Sequence, residues 1–373
     1  MKKIYVTKPY LPNKEKYLKY INEIWDNSIL TNYGPLYEKL NKKLSKIINN
    51  NNINLYCNGH QALETLIKSL DLPIGGEIIT TPFTFVSTTH AIINCGYNPV
   101  FCDIKTSDYT IDEEKIEKLI TKKTVAILGV HVYGFPCNVD RIEKIAKKYN
   151  LKVIYDSAHA FGVSYNDINI LNYGDASMCS FHATKLFNTI EGGITVNKTA
   201  ELSLKQRKMQ NFGISGYDDV ELIGTNAKMN EFCAAMGLAT ISDFKKIVKK
   251  RQKLVELYKK NLDSLKGIKV FSFDNDKVDF NYAYFPIVIN EDEYGLSRDQ
   301  VKKILEDNNI FPRKYFYPLT CDLLCYRERF PYFVNSDVEN ARKISNNILT
   351  LPLYYELDEK TVNKICDILR RKN

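Results

Sequence analysis

The sequence predicts an α/β protein built on a largely parallel sheet that helices cover on both faces. Short runs of apolar or β-branched residues alternate with amphipathic helix patterns, which is typical of this class. The 373 residues also exceed one usual domain of roughly 150 residues. We therefore expect a large domain over residues 1–240, followed by a connecting helix and a smaller C-terminal α/β domain over residues 241–373.

The predicted elements follow in chain order, beginning with two helix patterns whose apolar residues recur at helical spacing. These two helices are KEKYLKYINEIWDN and GPLYEKLNKKLSKI. The strands that come next are INLYC, EIITT, NPVFCDI, TVAILGVHV, KVIYD and ASMCSF. The helices between them are HQALETLIKSL, EEKIEKLI and VDRIEKIAKKYN. The connecting helix is ISDFKKIVKKRQKLVELYKKNLDSL, and the later elements are the strand VDFNYAYFPIVI and the helices SRDQVKKILEDNN and VENARKISNNIL.

Composition restricts the functional class. The net charge is +8, but the basic residues are spread along predicted helices, which favours a small anionic substrate and indicates no nucleic-acid partner. No apolar run reaches the roughly 18 residues of a membrane span, and the start MKKIYVTKPY lacks a signal-peptide core, so we expect a cytoplasmic protein without a membrane partner. The nine cysteines are expected to be reduced, and Cys321 with Cys325 lacks the further ligands of a metal site.

Three features follow predicted strands of the large domain, where ligands bind in sheets of this kind. Asp156 ends KVIYD, Lys185 comes five residues after Ser180, and the turn LYCNGHQALETL places Asn-Gly before a helix. Each alone has an ordinary structural explanation: a helix cap, a surface charge and a common glycine turn. Together they provide an acid, a lysine and a backbone cradle for phosphate, which are the groups that pyridoxal phosphate requires.

The chain resembles the DegT/DnrJ/EryC/StrS family of nucleotide-sugar aminotransferases, which have the fold of type I pyridoxal-phosphate enzymes. The matching segments, in order over nearly the whole chain, are VTKPYLP, ILTNYGPLYEKL, NGHQALE, TTPFTFVSTTHAI, NPVFCDI, VHVYGFPCNVD, DSAHAFG, SFHATKLFNTIEGG, GTNAKMNEFCAAMGLA and LPLYYEL. The resemblance implies a mainly parallel, seven-stranded type of sheet between helices, pyridoxal 5'-phosphate as cofactor, and a homodimer with shared active sites.

The resemblance also implies a role for each matching position. Lys185 would be the catalytic residue that joins the cofactor aldehyde as an imine, and Asp156 would pair with the pyridine nitrogen. The other implied cofactor-binding positions are His159 near the ring oxygen, Ser180, Gly59 and His60 at the phosphate, Phe85 stacked on the ring, and Asn226 reaching the phosphate from the neighbouring subunit. His182 and Tyr317 are candidates to line the substrate. His60 replaces the small hydroxyl residue common in the family, so only its backbone is expected at the phosphate.

The implied reaction is a two-stage transamination from an amino acid, L-glutamate in many such families, to a nucleotide-linked keto-6-deoxy sugar for surface polysaccharide. The favoured substrate is dTDP-4-keto-6-deoxyglucose, with a 3-keto sugar as the alternative. Lys185 must have a depressed pKa to act as a base at neutral pH. Family members with histidine at this position are dehydratases, so the lysine favours transamination.

Two alternatives belong to other classes. A nicotinamide dehydrogenase requires G-x-G-x-x-G after an early strand with a later acid, and the sequence has no such motif. A regulator or structural dimer that binds the cofactor without turnover stays open. His90 and His131 are expected to pack or cap near strand ends, with a role in the site as the second possibility.

Overall fold

The computed structural model of the protein describes residues 3–330, 333 and 336–371. The strands are β1 Ile4–Tyr5, β2 Ile53–Tyr56, β3 Glu77–Thr80, β4 Asn98–Phe101, β5 Thr124–Val130, β6 Lys152–Asp156, β7 Ser164–Tyr165, β8 Ile168–Asn169, β9 Ala176–Ser180, β10 Gly193–Asn197, β11 Ile268–Val270, β12 Val278–Asp279, β13 Phe285–Ile289, β14 Ile310–Phe311 and β15 Ile348–Leu351. The α-helices are α1 Lys14–Asn27, α2 Pro35–Ile48, α3 Gly59–Ser69, α4 Val86–Asn94, α5 Glu113–Leu119, α6 Val139–Tyr149, α7 Ala200–Met209, α8 Glu231–Ile241, α9 Phe244–Leu262, α10 Glu291–Tyr294, α11 Arg298–Asp307, α12 Leu324–Arg327, α13 Glu339–Asn347 and α14 Glu359–Arg371.

The central sheet has, among the described residues, seven strands in the order β2-β10-β9-β6-β5-β3-β4. Neighbouring strands are parallel except at β10, which runs antiparallel to both β2 and β9. Strands such as β2 and β10 are buried along their whole length, as expected where helices cover both faces. The predicted mainly parallel sheet between helices is therefore confirmed. Strand β10 itself was not among the predicted strands.

Two helices show how the sequence sets local structure near the site. Helix α2 buries Leu36, Leu40 and Leu44 on one stripe, with a proline at its first turn. Helix α3 begins where the side-chain oxygen of Asn58 accepts the backbone N–H of Gln61 at 2.8 Å. The start of α3 is therefore fixed, and it lies beside the end of β9.

The C-terminal part of the chain adds a three-stranded sheet in the order β11-β13-β15 and packs α9 and α14 together. The first strand of the protein also joins this part, because β1 pairs in parallel with β14. The division of the chain at residue 240 stays a prediction. None of the helices in the described part of the chain combines the length and apolarity required to cross a membrane.

Three predicted elements have different boundaries in the structure. The strand predicted over 278–289 is divided into β12 and β13, because the chain bends at Tyr282, which has φ +54°. The connecting helix was predicted to start at residue 241 and starts at Phe244. The helix predicted over residues 338–349 ends at Asn347, because the apolar residues that follow form β15. At the bend, the side-chain amide of Asn281 donates to the backbone oxygen of His159 at 2.7 Å. This part of the chain therefore contacts the loop that carries a candidate site residue.

Candidate active site

A cavity of about 640 Å³ opens at the carboxyl ends of β5, β6 and β9 and at the start of α3. The predicted site residues that line it are Lys185, Asp156, His159, Ser180, Gly59, His60, Phe85 and His182. These side chains lie at or after the ends of different strands, so the sheet brings together residues that are far apart in the sequence. Asn226 and Tyr317 do not line this cavity in the described chain.

Lys185 lies in the loop of residues 181–192 between β9 and β10. Phe187 anchors this loop, because its buried ring packs against Phe161 and Phe181, with centroids 4.7 and 4.8 Å apart. These aromatic contacts fix the backbone near Lys185 and leave its side chain directed at the cavity that it lines. The loop is therefore held by packing and does not depend on the lysine itself.

The electrostatic environment of Lys185 favours the neutral amine more than water does. Desolvation lowers the pKa of Lys185, and the charge of Asp156 opposes this effect. The Nζ atom has no hydrogen bond or ion pair with the described residues. An amine with a depressed pKa and no partner is available for nucleophilic attack and for proton transfer.

Asp156 ends β6 and is held by a short network of hydroxyl groups. Its Oδ2 atom accepts the Thr88 hydroxyl at 2.7 Å, and its Oδ1 atom accepts the Ala158 N–H at 3.0 Å. Burial raises the pKa of Asp156, while these two bonds and the charge of Lys185 oppose the increase. The Thr84 and Thr88 hydroxyl oxygens are 2.8 Å apart, and since Thr88 donates to the carboxylate, Thr84 donates to Thr88. The carboxylate therefore has one fixed orientation.

Two histidines line the cavity as neutral rings. The Nδ1 atom of His159 accepts the Tyr133 N–H at 3.1 Å, and burial lowers the pKa of His159 well below its usual value. The Nδ1 atom of His131 accepts the Cys137 N–H at 3.0 Å, and burial lowers the pKa of His131 to about 3. Each ring therefore carries its hydrogen on Nε2. The buried Nε2 of His131 has no hydrogen-bond partner within the described chain.

The start of α3 has the features of an anion site. The backbone N–H groups of Gly59 and His60 point out of the first turn and have no partner among the described residues. A Cβ atom at Gly59 would lie 3.0 Å from the Cβ atom of Ser180, and one at Gly193 would lie 2.8 Å from the backbone nitrogen of Gly59. Glycine is thus required where these three segments approach one another.

The side chain of His60 is held away from its own N–H group. Its Nδ1 atom is 2.8 Å from the Ser87 hydroxyl, and its Nε2 atom is 3.1 Å from a carboxylate oxygen of Glu64. The hydrogen bond from His60 is the largest cause that lowers the pKa of Glu64, to about 2. Only the backbone of His60 is therefore positioned for an anion at the start of the helix.

The remaining predicted residues lie at the mouth of the cavity or outside it. Phe85 is 55% exposed and His182 is exposed, with its Nδ1 atom 2.8 Å from the Thr184 hydroxyl. Tyr317 lines a second cavity of about 350 Å³ next to the first. Asn226 is exposed and accepts a hydrogen bond from Lys228 at 2.8 Å. Its role in a neighbouring subunit stays a prediction.

Several residues of the cavity were not predicted from the sequence. They are Thr84, Ser87, Thr184, Glu191, Tyr284, Arg313, Tyr315 and Phe316, together with His131, for which packing was the first expectation. His90 is not among them; its Nδ1 atom bonds to the Tyr326 hydroxyl at 2.5 Å. Tyr284 and residues 313–316 come from the C-terminal part of the chain, and the only sequence signal near them was the segment FYPLT.

The profile of the DegT/DnrJ/EryC1/StrS aminotransferase family matches residues 12–370. The chain belongs to this family. It is 41% identical over 369 residues to the dTDP-4-amino-4,6-dideoxy-D-glucose transaminase of Shigella dysenteriae, covering 99% of each chain. It is 40% identical over 378 residues to the transaminase of the same name in Escherichia coli, covering 100% of this chain and 99% of the relative.

Solved structures show the same fold. One is DesI, crystallised in the presence of its TDP-sugar product, with a TM-score of 0.92 and 28% identity over 100% of this chain and 93% of that one. Another is PseC of Helicobacter pylori, an aminotransferase of pseudoaminic acid biosynthesis, with a TM-score of 0.92 and 26% identity over 99% of both chains. The predicted family, fold and enzyme class are confirmed, and the protein is an aminotransferase. The dehydrogenase alternative is excluded.

Proposed function

We propose that this aminotransferase uses pyridoxal phosphate to move an amino group from L-glutamate to dTDP-4-keto-6-deoxyglucose, giving the 4-amino sugar for surface polysaccharide. One observation carries the reaction type: Lys185 and Asp156 line the same cavity as the unpartnered N–H groups at the start of α3. The choice of sugar is supported by the two transaminases that share 41% and 40% identity with the whole chain.

The residues of the cavity fit pyridoxal phosphate in each of its parts. The N–H groups of Gly59 and His60 lie at a helix start without an acceptor in the described part of the chain, and the Ser180 hydroxyl lies beside them, as a phosphate requires. Asp156 provides a buried carboxylate for the ring nitrogen, and Lys185 provides the amine for the aldehyde.

Bound pyridoxal phosphate would supply an aldehyde that exchanges amino groups and a ring that withdraws electrons from the reacting carbon. The chain provides the proton transfers. Lys185, with its depressed pKa, would act as the base that takes a proton from the amino-bearing carbon and, once protonated on Nζ, as the acid that gives the proton up again. Asp156, oriented by Thr88 and the Ala158 N–H, favours a protonated ring nitrogen. The neutral His159 ring offers one N–H to the cavity.

The homodimer with shared sites is part of the proposal. The loop before Asn226 carries five exposed apolar side chains: Phe212, Ile214, Tyr217, Val220 and Ile223. An apolar group of this size on one loop is typical of a surface that another subunit covers. Such a contact would carry Asn226 toward the site of the second copy.

The cytoplasmic location also belongs to the proposal. It is supported by the cysteines, all nine of which lie in the described residues and are free thiols. Free thiols persist in a reducing compartment.

The visible spectrum of the purified protein tests the proposed cofactor. We expect a yellow protein whose visible band is abolished by borohydride and shifted by L-glutamate. A colourless protein that pyridoxal phosphate does not turn yellow would contradict the proposal.

A panel of keto sugars tests the proposed substrate. We expect dTDP-4-keto-6-deoxyglucose to restore the original band of glutamate-treated protein and to yield the 4-amino sugar. Restoration by a 3-keto sugar instead would replace the substrate and keep the reaction type.

A further inference from the structure

The imidazole of His60 connects the first turns of two helices. His60 lies in the first turn of α3, Ser87 lies in the first turn of α4, and both residues line the catalytic cavity. The Nδ1 atom of His60 is 2.8 Å from the Ser87 hydroxyl, and its Nε2 atom is 3.1 Å from a carboxylate oxygen of Glu64. Glu64 lines a different cavity, whose lining includes residues of α3 and α7. The hydroxyl, imidazole and carboxylate therefore form one continuous line that starts in the catalytic cavity.

The carboxylate of Glu64 determines which nitrogen of His60 carries a hydrogen. Besides His60, the side-chain amides of Asn94 and Gln61 donate to this carboxylate, at 2.8 and 3.3 Å. The hydrogen bond from His60 is the largest cause that lowers the pKa of Glu64, to about 2, so the carboxylate is ionised at neutral pH. An ionised carboxylate only accepts hydrogen bonds, and the Nε2 atom of His60 therefore carries a hydrogen.

The hydrogen bond on the other side of the ring can run in either direction. In a neutral His60, Nδ1 has no hydrogen and accepts the Ser87 hydroxyl. The hydroxyl then presents only lone pairs to the cavity. In a protonated His60, Nδ1 donates to the Ser87 oxygen, and the Ser87 hydroxyl is free to donate elsewhere. Ser87 can therefore donate to an anion in the cavity only when His60 carries a second hydrogen.

An anion at the start of α3 lies within reach of Ser87. The N–H groups of Gly59 and His60 have no acceptor among the described residues. Helix α4 begins at the same cavity without a side-chain cap from Phe85, and the N–H groups of Val86 and Ser87 also lack an acceptor in the described chain. Because an imidazole is short, a hydroxyl bonded to Nδ1 of His60 is close to the N–H of the same residue. The starts of both helices therefore favour an anion between them.

We infer that the Ser87 hydroxyl donates to the phosphate of bound pyridoxal phosphate and that binding of this phosphate adds a proton to Nδ1 of His60. The proton comes from solvent, so an N–H bond forms on the ring and no bond of the cofactor breaks. Ser87 then provides a hydroxyl in place of the one that His60 has replaced, and His60 is a positioning residue that acts through Ser87. This inference rests on the proposed function, because the anion is the phosphate of the proposed cofactor.

The charged groups around His60 favour the added proton. Glu64 and Lys68 belong to α3, His90 to α4 and Asp156 to β6. A positive His60 interacts favourably with the carboxylates of Glu64 and Asp156. Burial lowers the pKa of His90, and the charge of His60 lowers it further, so His90 is neutral at neutral pH and does not repel the proton. Lys68 is exposed and acts on Glu64, so the two carboxylates outweigh it.

His182 provides a matched control, because it has the same kinds of neighbours in the same cavity. Its Nδ1 atom is 2.8 Å from the Thr184 hydroxyl, and its Nε2 atom is 3.5 Å from Glu191. However, the Glu191 side chain is 56% exposed, against 12% for Glu64. The Nδ1 atom of His182 also accepts the backbone N–H of Thr184 at 3.3 Å. A ring nitrogen that accepts an N–H carries no hydrogen, so His182 should take up no proton when the phosphate binds.

The first experiment measures whether Ser87 contacts the phosphate. The probes are pyridoxamine phosphate and pyridoxamine, which form no imine with Lys185, and calorimetry gives their affinities for the full-length, cofactor-free protein. Ser87→Ala should bind pyridoxamine phosphate roughly ten-fold more weakly, because a hydrogen bond to a charged group is lost, and should bind pyridoxamine as the wild type does. Ser87→Thr keeps a hydroxyl and should keep the affinity for pyridoxamine phosphate within about three-fold.

Two results of this experiment overturn the inference. The first is an equal affinity of Ser87→Ala and the wild type for pyridoxamine phosphate. The second is an equal loss of affinity for both probes, because Ser87 would then act through packing and not through the phosphate. Melting temperatures show that each variant is folded.

The second experiment counts the protons that are taken up on binding. Titrations with pyridoxamine phosphate at pH ~8, in two buffers of different ionisation enthalpy, give this number, and an ordinary histidine is neutral at this pH. The wild type should take up roughly one proton more per bound ligand than His60→Gln, and His182→Gln should match the wild type. The same uptake in His60→Gln and the wild type overturns the inference. Loss of the uptake only in His182→Gln also overturns it, because the proton then binds at the other imidazole.

The wild type separates this inference from the proposed function. A wild type that neither turns yellow with pyridoxal phosphate nor binds pyridoxamine phosphate contradicts the proposed function. A wild type that does both, together with unchanged affinity in Ser87→Ala and unchanged proton uptake in His60→Gln, contradicts only the inference.

Discussion

The catalytic cavity has a floor, which contains Asp156, His131 and Lys185, and a mouth, which contains His182 and Phe85. The two parts differ in what determines the charge and orientation of their side chains. On the floor, desolvation is the largest cause of the pKa shift of Asp156, His131 and Lys185. At the mouth, His182 and Phe85 are exposed, and His182 lies next to the Glu191 carboxylate beside solvent. Floor groups therefore depend on burial and on fixed hydrogen bonds, so a single change there should have a large effect. Mouth groups depend on reach and charge, so their individual effects should be small.

The largest effect is expected at Lys185. In Lys185→Ala, loss of the nucleophile and of the base should lower turnover by at least about 10³-fold. The cofactor should still bind, because the N–H groups of Gly59 and His60 are unchanged, but without a band that borohydride abolishes. Steady-state transamination and a visible titration measure the two effects.

The control for this variant is Lys152→Ala. Lys152 begins β6, at the opposite end of the strand from Asp156, and pairs with Asp175 at the surface at 3.4 Å. Its removal should leave turnover unchanged within about two-fold. Turnover of Lys185→Ala equal to that of the control would show that the floor does not carry the reaction.

The next effect is a pH-dependent stability that arises from His131. Its pKa is about 3 in the folded protein and roughly 6.5 in an unfolded chain, so between these values the unfolded state binds the extra proton. The free energy of unfolding is therefore retained above pH ~6.5 and falls as the pH decreases, by about 2 kcal/mol from this residue between pH ~6.5 and ~5.

The variant His131→Gln isolates this contribution. Denaturant unfolding of the cofactor-free protein should show a smaller loss of stability on acidification than the wild type, by about the same 2 kcal/mol. His182→Ala serves as the exposed control and should keep the wild-type dependence. If His131→Gln and the wild type have the same dependence on pH, His131 is not held neutral by burial.

The comparison of floor and mouth also shows what the sequence could predict. The helix Lys14–Asn27 and the strand Lys152–Asp156 match their predicted segments, because local apolar patterns determine both. Lys185 and Asp156, whose roles stay predictions, were singled out because Asp156 ends one predicted strand and Lys185 follows another. The positions of these two floor residues could therefore be predicted from short segments of the sequence.

The rest of the site depends on contacts between distant segments. Thr88 bonds to a carboxylate 68 residues away, which no local pattern reveals. Arg313 and Tyr315 reach the mouth through the packing of the C-terminal part of the chain. The bend that divides the strand predicted over 278–289 depends on Asn281, whose amide bonds to the backbone oxygens of His159 and Phe161. These features required the three-dimensional structure.

A smaller effect is expected at Thr88, which acts as a positioning residue for Asp156. Thr88→Val removes the hydroxyl that donates to the buried carboxylate, and a hydrogen bond to a charged group contributes about 1.5–3 kcal/mol. We expect roughly ten-fold weaker binding of pyridoxal phosphate, measured by visible titration, with recovery in Thr88→Ser.

The matched control is Thr89→Val, one residue along α4. Thr89 is equally buried, and its hydroxyl donates to the Thr320 hydroxyl at 3.0 Å, away from Asp156. The variant Thr89→Val should therefore be less stable than the wild type and should keep the wild-type affinity for the cofactor. Equal loss of affinity in both variants would mean that Thr88 matters only for packing.

The smallest effect is expected at His182, which tests whether the mouth tolerates change. Its side chain is 46% exposed, and its Nε2 atom lies 3.5 Å from Glu191, a surface pair that contributes about 0–1 kcal/mol. His182→Ala and Glu191→Gln should therefore change turnover and cofactor affinity by no more than about two- to three-fold each, and to the same extent. A loss above ten-fold in His182→Ala alone would mean that the imidazole contacts the substrate directly. The division between floor and mouth would then run through the loop that carries Lys185, because His182 lies only three residues before it.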